Sequence, residues 1–200
     1  RPGRIRVVLD SRAINSSILR QHSPVKTLDD IIHQLNGSSV YSKLDLRSAF
    51  EQIQLHKDSR PYTAFSSHIG LLMFKRLCFG LNVSSEIFQT AMSQVLNGIP
   101  GVIQIVDDCL IYGATVAEND AALRAVVNRL LEHGLTLHKE KCVLNQPEIE
   151  FFGSVFSARG VSIHPDRLRA LENLPPPKSG PETASLLGMF GYISRHIKNF

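Results

Sequence analysis

Apolar and polar positions along the chain repeat with two periods, and the switches between them mark out short strands and amphipathic helices. Residues 5–9 predict a strand, and the polar stretch 10–15 reads as a loop carrying one turn of helix. From Thr27 the period lengthens. Leu28, Ile31, Ile32 and Leu35 share one helical face, Thr27 stands as N-cap with Asp30 three residues on, and Gly37 ends the helix. Residues 40–46 predict the next strand, from which 48–53 turn away. Within 62–79, the runs 63–66 and 71–74 flank His68, Ile69 and Gly70 as a hairpin, and 78–81 make a turn. Residues 84–96 predict a helix capped by Ser84 or Ser85, with Ile87, Phe88, Ala91, Met92 and Val95 buried.

The stretch 104–113, Gln-Ile-Val-Asp-Asp-Cys-Leu-Ile-Tyr-Gly, is organised differently: two neighbouring carboxylates interrupt a run that is otherwise apolar and β-branched. It predicts a hairpin with arms 103–106 and 109–112 and with Asp107 and Asp108 at the turn. A helix over 118–134 follows, with Leu123, Val126, Val127, Leu130 and Leu131 inward and Gly134 as its stop. Residues 148–156 and 160–163 suggest a small hairpin around Arg159 and Gly160. Beyond it come a short helix over 165–174, a stiff proline-rich linker over 175–181 and a last helix over 182–197. The order of elements places helices over one face of a largely antiparallel sheet, an α+β fold. A subdomain boundary is expected between 150 and 160, with no internal repeat.

At 200 residues and 43% hydrophobic content the chain can bury a core as one large domain or as a domain with a small appendage. No apolar run approaches the roughly 20 residues that span a bilayer, and the first residues do not read as a signal peptide, so no membrane partner is expected. A strand led by only four residues suggests a fragment. The three cysteines, Cys78, Cys109 and Cys142, lack Cys-x-x-Cys spacing and sit among apolar residues, which predicts reduced packing residues and no zinc site. A formal charge of +4 is compatible with a polyanionic partner without requiring one. Basic residues gather at Arg1, Arg4, Arg6, Arg12 and Arg20, at Lys139 and Lys141, and at Arg195, His196 and Lys198, and composition alone favours reading each group as a solvated face.

Two adjacent acids on an apolar strand are costly unless something compensates them, and hard oxygen ligands at a strand end suit Mg²⁺. The plainer reading is turn chemistry alone. A third acid shifts the balance. Asp45 ends the strand 40–46 and lies 62 positions before Asp107, so only the fold can bring them together. Three carboxylates at strand ends suit the two-metal reaction of phosphoryl or nucleotidyl transfer. The chain has no P-loop, dinucleotide fingerprint, nucleophile elbow or His-Glu-x-x-His, and its eight histidines are scattered. A phospho-acceptor signalling domain would want its acid pair at the end of a first strand, which is not where this pair falls.

Read together, Leu44-Asp45-Leu46, Phe79-Gly80-Leu81 with Phe88-Gln89, Val106-Asp107-Asp108, Lys139 and Lys141-Cys142, and Leu187-Gly188 with Tyr192 resemble the reverse transcriptases of gypsy-type LTR retrotransposons, relatives of retroviral polymerases. The resemblance covers essentially the whole chain. It implies a right-hand palm with partial fingers over residues 1–155 and the start of a thumb or connection segment over 156–200. The implied activity is RNA-directed DNA polymerase, adding deoxynucleotides to a primer 3′ end on an RNA or DNA template by two-metal chemistry with Mg²⁺, or Mn²⁺ in its place. An RNase H domain is implied downstream in the polyprotein, and the implied location is intracellular: cytoplasmic, in the element's virus-like particle, with a nuclear phase.

Residue by residue, the resemblance makes Asp45, Asp107 and Asp108 the catalytic metal triad with the Leu46 carbonyl as a further ligand. Phe50 falls where an aromatic ring excludes a 2′-hydroxyl, although it also reads as a core aromatic. Arg6 matches a fingers cation that packs on the incoming nucleotide, and Phe79 and Gly80 match the turn lining that pocket. Phe152, Gly153 and Ser154 match the hairpin that holds the primer end; Lys139 and Lys141 read equally as phosphate contacts and as solvated side chains. Val106 stands where many members carry an aromatic, Cys78 where proline is usual, and residues 82–85 where Asn-Ala-Pro is usual. These departures leave open a second reading, a decayed copy that binds nucleic acid without chemistry.

Overall fold

The computed structural model describes residues 7–20 and 26–194. Arg1, Arg4, Arg6, Arg195, His196 and Lys198 therefore lie outside the described residues. Val7 to Leu9, the described part of the expected first strand, joins no sheet; the Leu9 N–H donates instead to the Phe79 carbonyl at 3.0 Å. Helix α1, Arg12–Asn15, is the single expected turn. Helix α2, Leu28–Leu35, begins on the predicted reciprocal cap: Thr27 Oγ1 accepts the Asp30 N–H, and the Asp30 carboxylate accepts the Thr27 N–H. The Thr27 hydroxyl, which donates to the same carboxylate at 2.7 Å, and after it the Thr27 N–H hold the Asp30 carboxyl below the usual carboxylate range.

Strand β1, Val40–Asp45, leads through two 3₁₀ segments, Ala49–Gln52 and Lys57–Thr63, to a two-stranded hairpin of β2, Phe65–Ser67, and β3, Gly70–Leu72. Helix α3, Ser84–Val95, follows, then β4, Val102–Ile105, and β5, Asp108–Gly113. Helix α4 is Val116–Glu132, and β6 is Val143–Gln146. The chain then forms β7, Glu148–Phe151, β8, Ser154–Ser157, and β9, Gly160–Ile163, before α5, Pro165–Glu172, and α6, Gly180–Ile193.

Four antiparallel strands in the order β4-β5-β1-β6 make the central sheet. Because successive side chains alternate across a strand, β1 points Tyr41, Lys43 and Asp45 to one face and Ser42, Leu44 and the following Leu46 to the other. Leu44, Leu46, Cys109 and Ile111 are buried against Phe88 and Met92 of α3 and Ala122, Val126 and Leu130 of α4. On the opposite face Tyr41, Ile103, Ile105 and Leu110 pack with Ile31 and Leu35 of α2 and with Ile149, Phe151 and Phe156 of the β7-β8-β9 sheet. The α+β class is as expected, but both faces of the central sheet are covered.

That double burial explains why β5 reads as a continuous apolar run after its first acid. The small sheet passes through the expected 155–156 boundary and contributes its buried side chains to the central core. Among the described residues no helix is long and apolar enough to cross a membrane.

Several local expectations give way to packing. Neither Ser84 nor Ser85 caps α3: Val83 holds the N-cap position, and the Ser84 hydroxyl donates to the Cys78 carbonyl at 2.7 Å. Ile87 and Leu131, both expected inside, are exposed. Helix α4 starts two residues early because the Thr115 hydroxyl accepts the Glu118 N–H, and it buries Asn119 rather than Leu131. Asn119 accepts from the Ser42 hydroxyl at 2.6 Å and donates to the Val40 and Ile111 carbonyls at 3.2 Å, tying α4 to β1 and β5. Strand β6 had no sequence signal of its own, and Phe152 and Gly153 divide the stretch 148–156 into two strands.

Candidate active site

The antiparallel register sets Asp45, the last residue of β1, directly opposite Asp108, the first residue of β5. Ile105 pairs with Asp108, so the hairpin turn consists of Val106 and Asp107, and Asp108 belongs to the strand rather than to the turn as expected. Asp107 is exposed in that turn. Like charges facing each other across two strands destabilise the pair unless something offsets them. Two lysines do so. Lys43 Nζ lies 3.1 Å from Asp108 Oδ1, and Lys141 Nζ lies 3.1 and 3.0 Å from the two oxygens of Asp45.

Lys141 is delivered by a loop fixed to the end of β1. The Arg47 N–H donates to the Thr136 carbonyl at 3.0 Å and the His138 N–H to the Asp45 carbonyl at 2.8 Å, bracketing a bridge between Leu46 and Leu137 that leaves the Leu46 carbonyl out of the pairing. Gln52 reinforces the junction, donating to the Arg47 and Thr136 carbonyls and accepting the Thr136 N–H at 2.7 Å. With Asp45 20% and Asp108 37% exposed, these ion pairs stay in contact with water, and each is worth at most about 1 kcal/mol. Lys139, on the same 3₁₀ turn, is exposed.

Among the described residues, no three or more His, Cys, Asp and Glu side chains are gathered closely enough to hold a metal ion in this arrangement. The donor chemistry nevertheless fits Mg²⁺: two carboxylates from facing strand ends, partly open to solvent, with a third in the adjoining turn. Cys109 is not a ligand. Burial first, and the neighbouring Asp108 carboxylate second, push its thiol up to about 12, so it stays protonated.

Val106 has φ +50°, a left-handed conformation that a β-branched residue disfavours. Two buried glutamines absent from the sequence-derived site hold it: Gln89 of α3 accepts the Val106 N–H at 2.7 Å, and Gln104 of β4 donates to the Val106 carbonyl at 2.7 Å. The available signal was an amide next to Phe88 on the inward side of a predicted helix and a second amide opening an apolar strand.

Phe50 lies in the 3₁₀ turn after β1, which begins at Ser48 with φ +50°. Its ring meets Phe79 at 5.0 Å and Phe88 at 5.7 Å between centroids, so the expected pocket residues Phe50 and Phe79 do come together, on the edge of the α3 core. Gly80 has φ +109°, and a Cβ built there would lie 2.0 Å from the Leu9 carbonyl oxygen. The N-terminal segment is laid on this turn: Asn15 Nδ2 donates to the Gly80 carbonyl at 2.9 Å, Ser11 Oγ donates to the same oxygen, and the Asn82 N–H donates to Asn15 Oδ1 at 3.0 Å.

Gly80→Ala must therefore undock main chain from main chain. It is expected to destabilise by ~3 kcal/mol or more, strain and clash together. Gly98→Ala, at φ +80° with nothing within 4 Å of the added carbon, should lose only the ~1 kcal/mol of strain. Equal denaturant midpoints for the two variants would contradict the contact.

Phe152 and Gly153, at φ +48° and +76°, form the two-residue turn between β7 and β8. The Phe152 ring is exposed at the tip, whereas Ser154 is buried between strands and supports the hairpin without reaching its surface.

Residues 1–156 match the profile of the family described as reverse transcriptase (RNA-dependent DNA polymerase). The chain is 32% identical over 197 residues to the retrovirus-related Pol polyprotein from transposon 412 of Drosophila melanogaster, a match covering 98% of this chain and 16% of that protein. It is 29% identical to the corresponding polyprotein from transposon gypsy of the same organism, covering 98% of this chain and 19% of that one. Among solved structures it is similar to the foamy viral protease-reverse transcriptase dRH in complex with double-stranded DNA, with a TM-score of 0.86, 28% identity, and 94% of this chain and 33% of that chain covered. The foamy viral enzyme in complex with an RNA/DNA hybrid gives a TM-score of 0.80 at 28% identity, over 92% of this chain and 25% of that chain. The chain thus spans a small part of the relatives that it matches.

Proposed function

Because the chain belongs to the reverse transcriptase family, we propose that it is the palm-centred part of an RNA-directed DNA polymerase that extends a primer by nucleotidyl transfer. The facing pair of Asp45 and Asp108 carries this reading: the fold brings two distant acids to one strand end beside a third, which the core itself does not require. Bound at Asp45, Asp107, Asp108 and the Leu46 carbonyl, two Mg²⁺ ions, or Mn²⁺ in their place, would supply activation of the primer oxygen and neutralisation of the leaving phosphates.

The chain's own residues orient the reactants. Phe50, backed by Phe79, closes the side on which a 2′-hydroxyl would sit, and Gly80 lets the main chain at Leu9 lie against the turn beside them; Arg6, outside the described residues, is the proposed cation for the incoming nucleotide. Lys141, paired with Asp45 here, would become available to phosphate oxygens once that carboxylate held a metal ion. The exposed Phe152 and the half-buried Gly153 seat the primer end, and Lys139 meets backbone phosphate. The nucleic acids bound by the foamy viral enzymes support a template-primer duplex as partner. A downstream RNase H domain and a cytoplasmic particle with a nuclear phase are part of the same proposal.

The test is extension of a primer on an RNA template by the complete polymerase with Mg²⁺ and deoxynucleotides. Products stopped by a chelator are expected. Tight binding of the primer-template with no product would instead identify a copy that only binds nucleic acid.

A further inference from the structure

We propose that Gln89 and Gln104 form an amide clamp that holds the β4–β5 turn in a conformation its own residues disfavour, and thereby fixes where Asp107 and Asp108 present their oxygens. This deepens the polymerase reading and rests on it. The turn has two central residues, and only the first, Val106, has positive φ. That sign pattern is the one for which hairpins place glycine first, because a side chain there, above all a β-branched one, crowds the backbone.

The clamp grips both peptide groups that flank Val106. Gln89 Oε1 accepts its N–H at 2.7 Å and Gln104 Nε2 donates to its carbonyl at 2.7 Å, while the amides lock together through Gln89 Nε2 to Gln104 Oε1 at 2.8 Å and Gln104 Nε2 to Gln89 Oε1 at 3.2 Å. Both side chains are buried, where an unmade bond is expensive and a made one is strong. The clamp is referenced to a fixed body, since Phe88 and Met92 seat α3 in the core and Arg129 donates to the Val95 carbonyl at its C-terminal end.

Register gives the arrangement its consequence. A turn that relaxes and takes in one more residue slips β5 by one position, and a slip of one exchanges the faces of the sheet. Asp108 would then leave Asp45 and point toward α3 and α4. Gln89 and Gln104 are positioning residues: they touch the turn, not the reacting atoms.

The test uses the complete polymerase as wild type, Gln89→Leu, Val106→Gly and the double variant. Gln89→Leu is expected to lower kcat for nucleotide addition ~10²-fold while primer-template Kd stays within about twofold, the size of effect produced by small misplacement of reacting groups. Glycine adopts the turn unaided, so in the Val106→Gly background the same substitution should cost less than about fivefold. Amide exchange over 102–110 should quicken in Gln89→Leu and change little between Val106→Gly and the double variant. Equal losses in both backgrounds, or no loss in either, would overturn the proposal. Should Gln89→Leu fail to fold, Gln104→Leu releases the turn from the strand side and must show the same glycine-dependent rescue; a loss that glycine does not rescue refutes the clamp. A wild-type protein that adds no nucleotide would refute the polymerase reading instead. The exchange comparison then decides the clamp by itself, with quickened exchange sustaining it and unchanged exchange removing it.

Discussion

Asp108→Asn is expected to lower nucleotide addition by the complete polymerase at least ~10³-fold, because a neutral amide forfeits several kcal/mol of metal-borne charge stabilisation in the transition state. Asp45→Asn and Asp107→Asn should do the same. The three differ in what they do to the fold. Asp45 and Asp108 face each other across β1 and β5, so neutralising either relieves a like-charge contact while it releases Lys141 or Lys43. These opposed, water-screened effects should leave stability within about 1 kcal/mol of wild type. Asp107 is exposed in the turn, and its substitution should leave the melt unchanged. Single-turnover extension measured beside a thermal melt separates lost chemistry from lost structure. Full activity in any of the three variants would sink the assignment of that acid.

Phe50→Val should raise incorporation of ribonucleotides relative to deoxynucleotides by ~10²-fold, since a ring that denies the 2′-hydroxyl its place also denies the ribonucleotide its near-attack geometry. The packing adds a second effect. Phe50 touches Phe79 and Phe88 at the edge of the core, so shortening it removes ring contacts on both sides and should destabilise by ~2–3 kcal/mol. Core packing is therefore a property of this residue in either case, and the sugar ratio alone tests steric exclusion. The comparison is kcat/KM for both sugars at a temperature where wild type and variant are folded. An unchanged ratio with a lowered melting point would leave Phe50 a core residue alone.

Local signals were legible in the sequence where a single segment carries the whole physics. Thr27 and Asp30 cap α2 as read because both partners of each bond lie within one turn, and Leu28, Ile31, Ile32 and Leu35 turn inward because a 3.6-residue period needs no distant information. The facing of Asp45 and Asp108 was accessible through the family resemblance, not through any local pattern, because a register between strands so far apart is set by the fold. Lys43 and Lys141 were indistinguishable from solvated cations until their carboxylate partners were placed.

Strand β6 is short, exposed and apolar only at Val143 and Leu144, so its pairing with β1, not its composition, makes it a strand. Ser84 looked like a cap and instead spends its hydroxyl on the Cys78 carbonyl. Gln89 and Gln104 were invisible for the complementary reason: a polar residue on an apolar face looks like an error in the period unless its partner is in view. In each case a bond from outside the element overrode a local preference.

In the proposed mechanism Asp45 and Asp108, with Asp107, hold the ions that drive nucleotidyl transfer. It is tested most directly by counting Mn²⁺ bound to the complete polymerase carrying a chain-terminated primer on an RNA template with the matching deoxynucleotide, read as the loss of the free-ion paramagnetic resonance signal. Two ions per complex are predicted for wild type. Asp45→Asn and Asp108→Asn should each retain fewer, with primer-template still bound. A wild-type complex that binds no Mn²⁺, or variants that keep the wild-type number, would contradict metal binding by these acids.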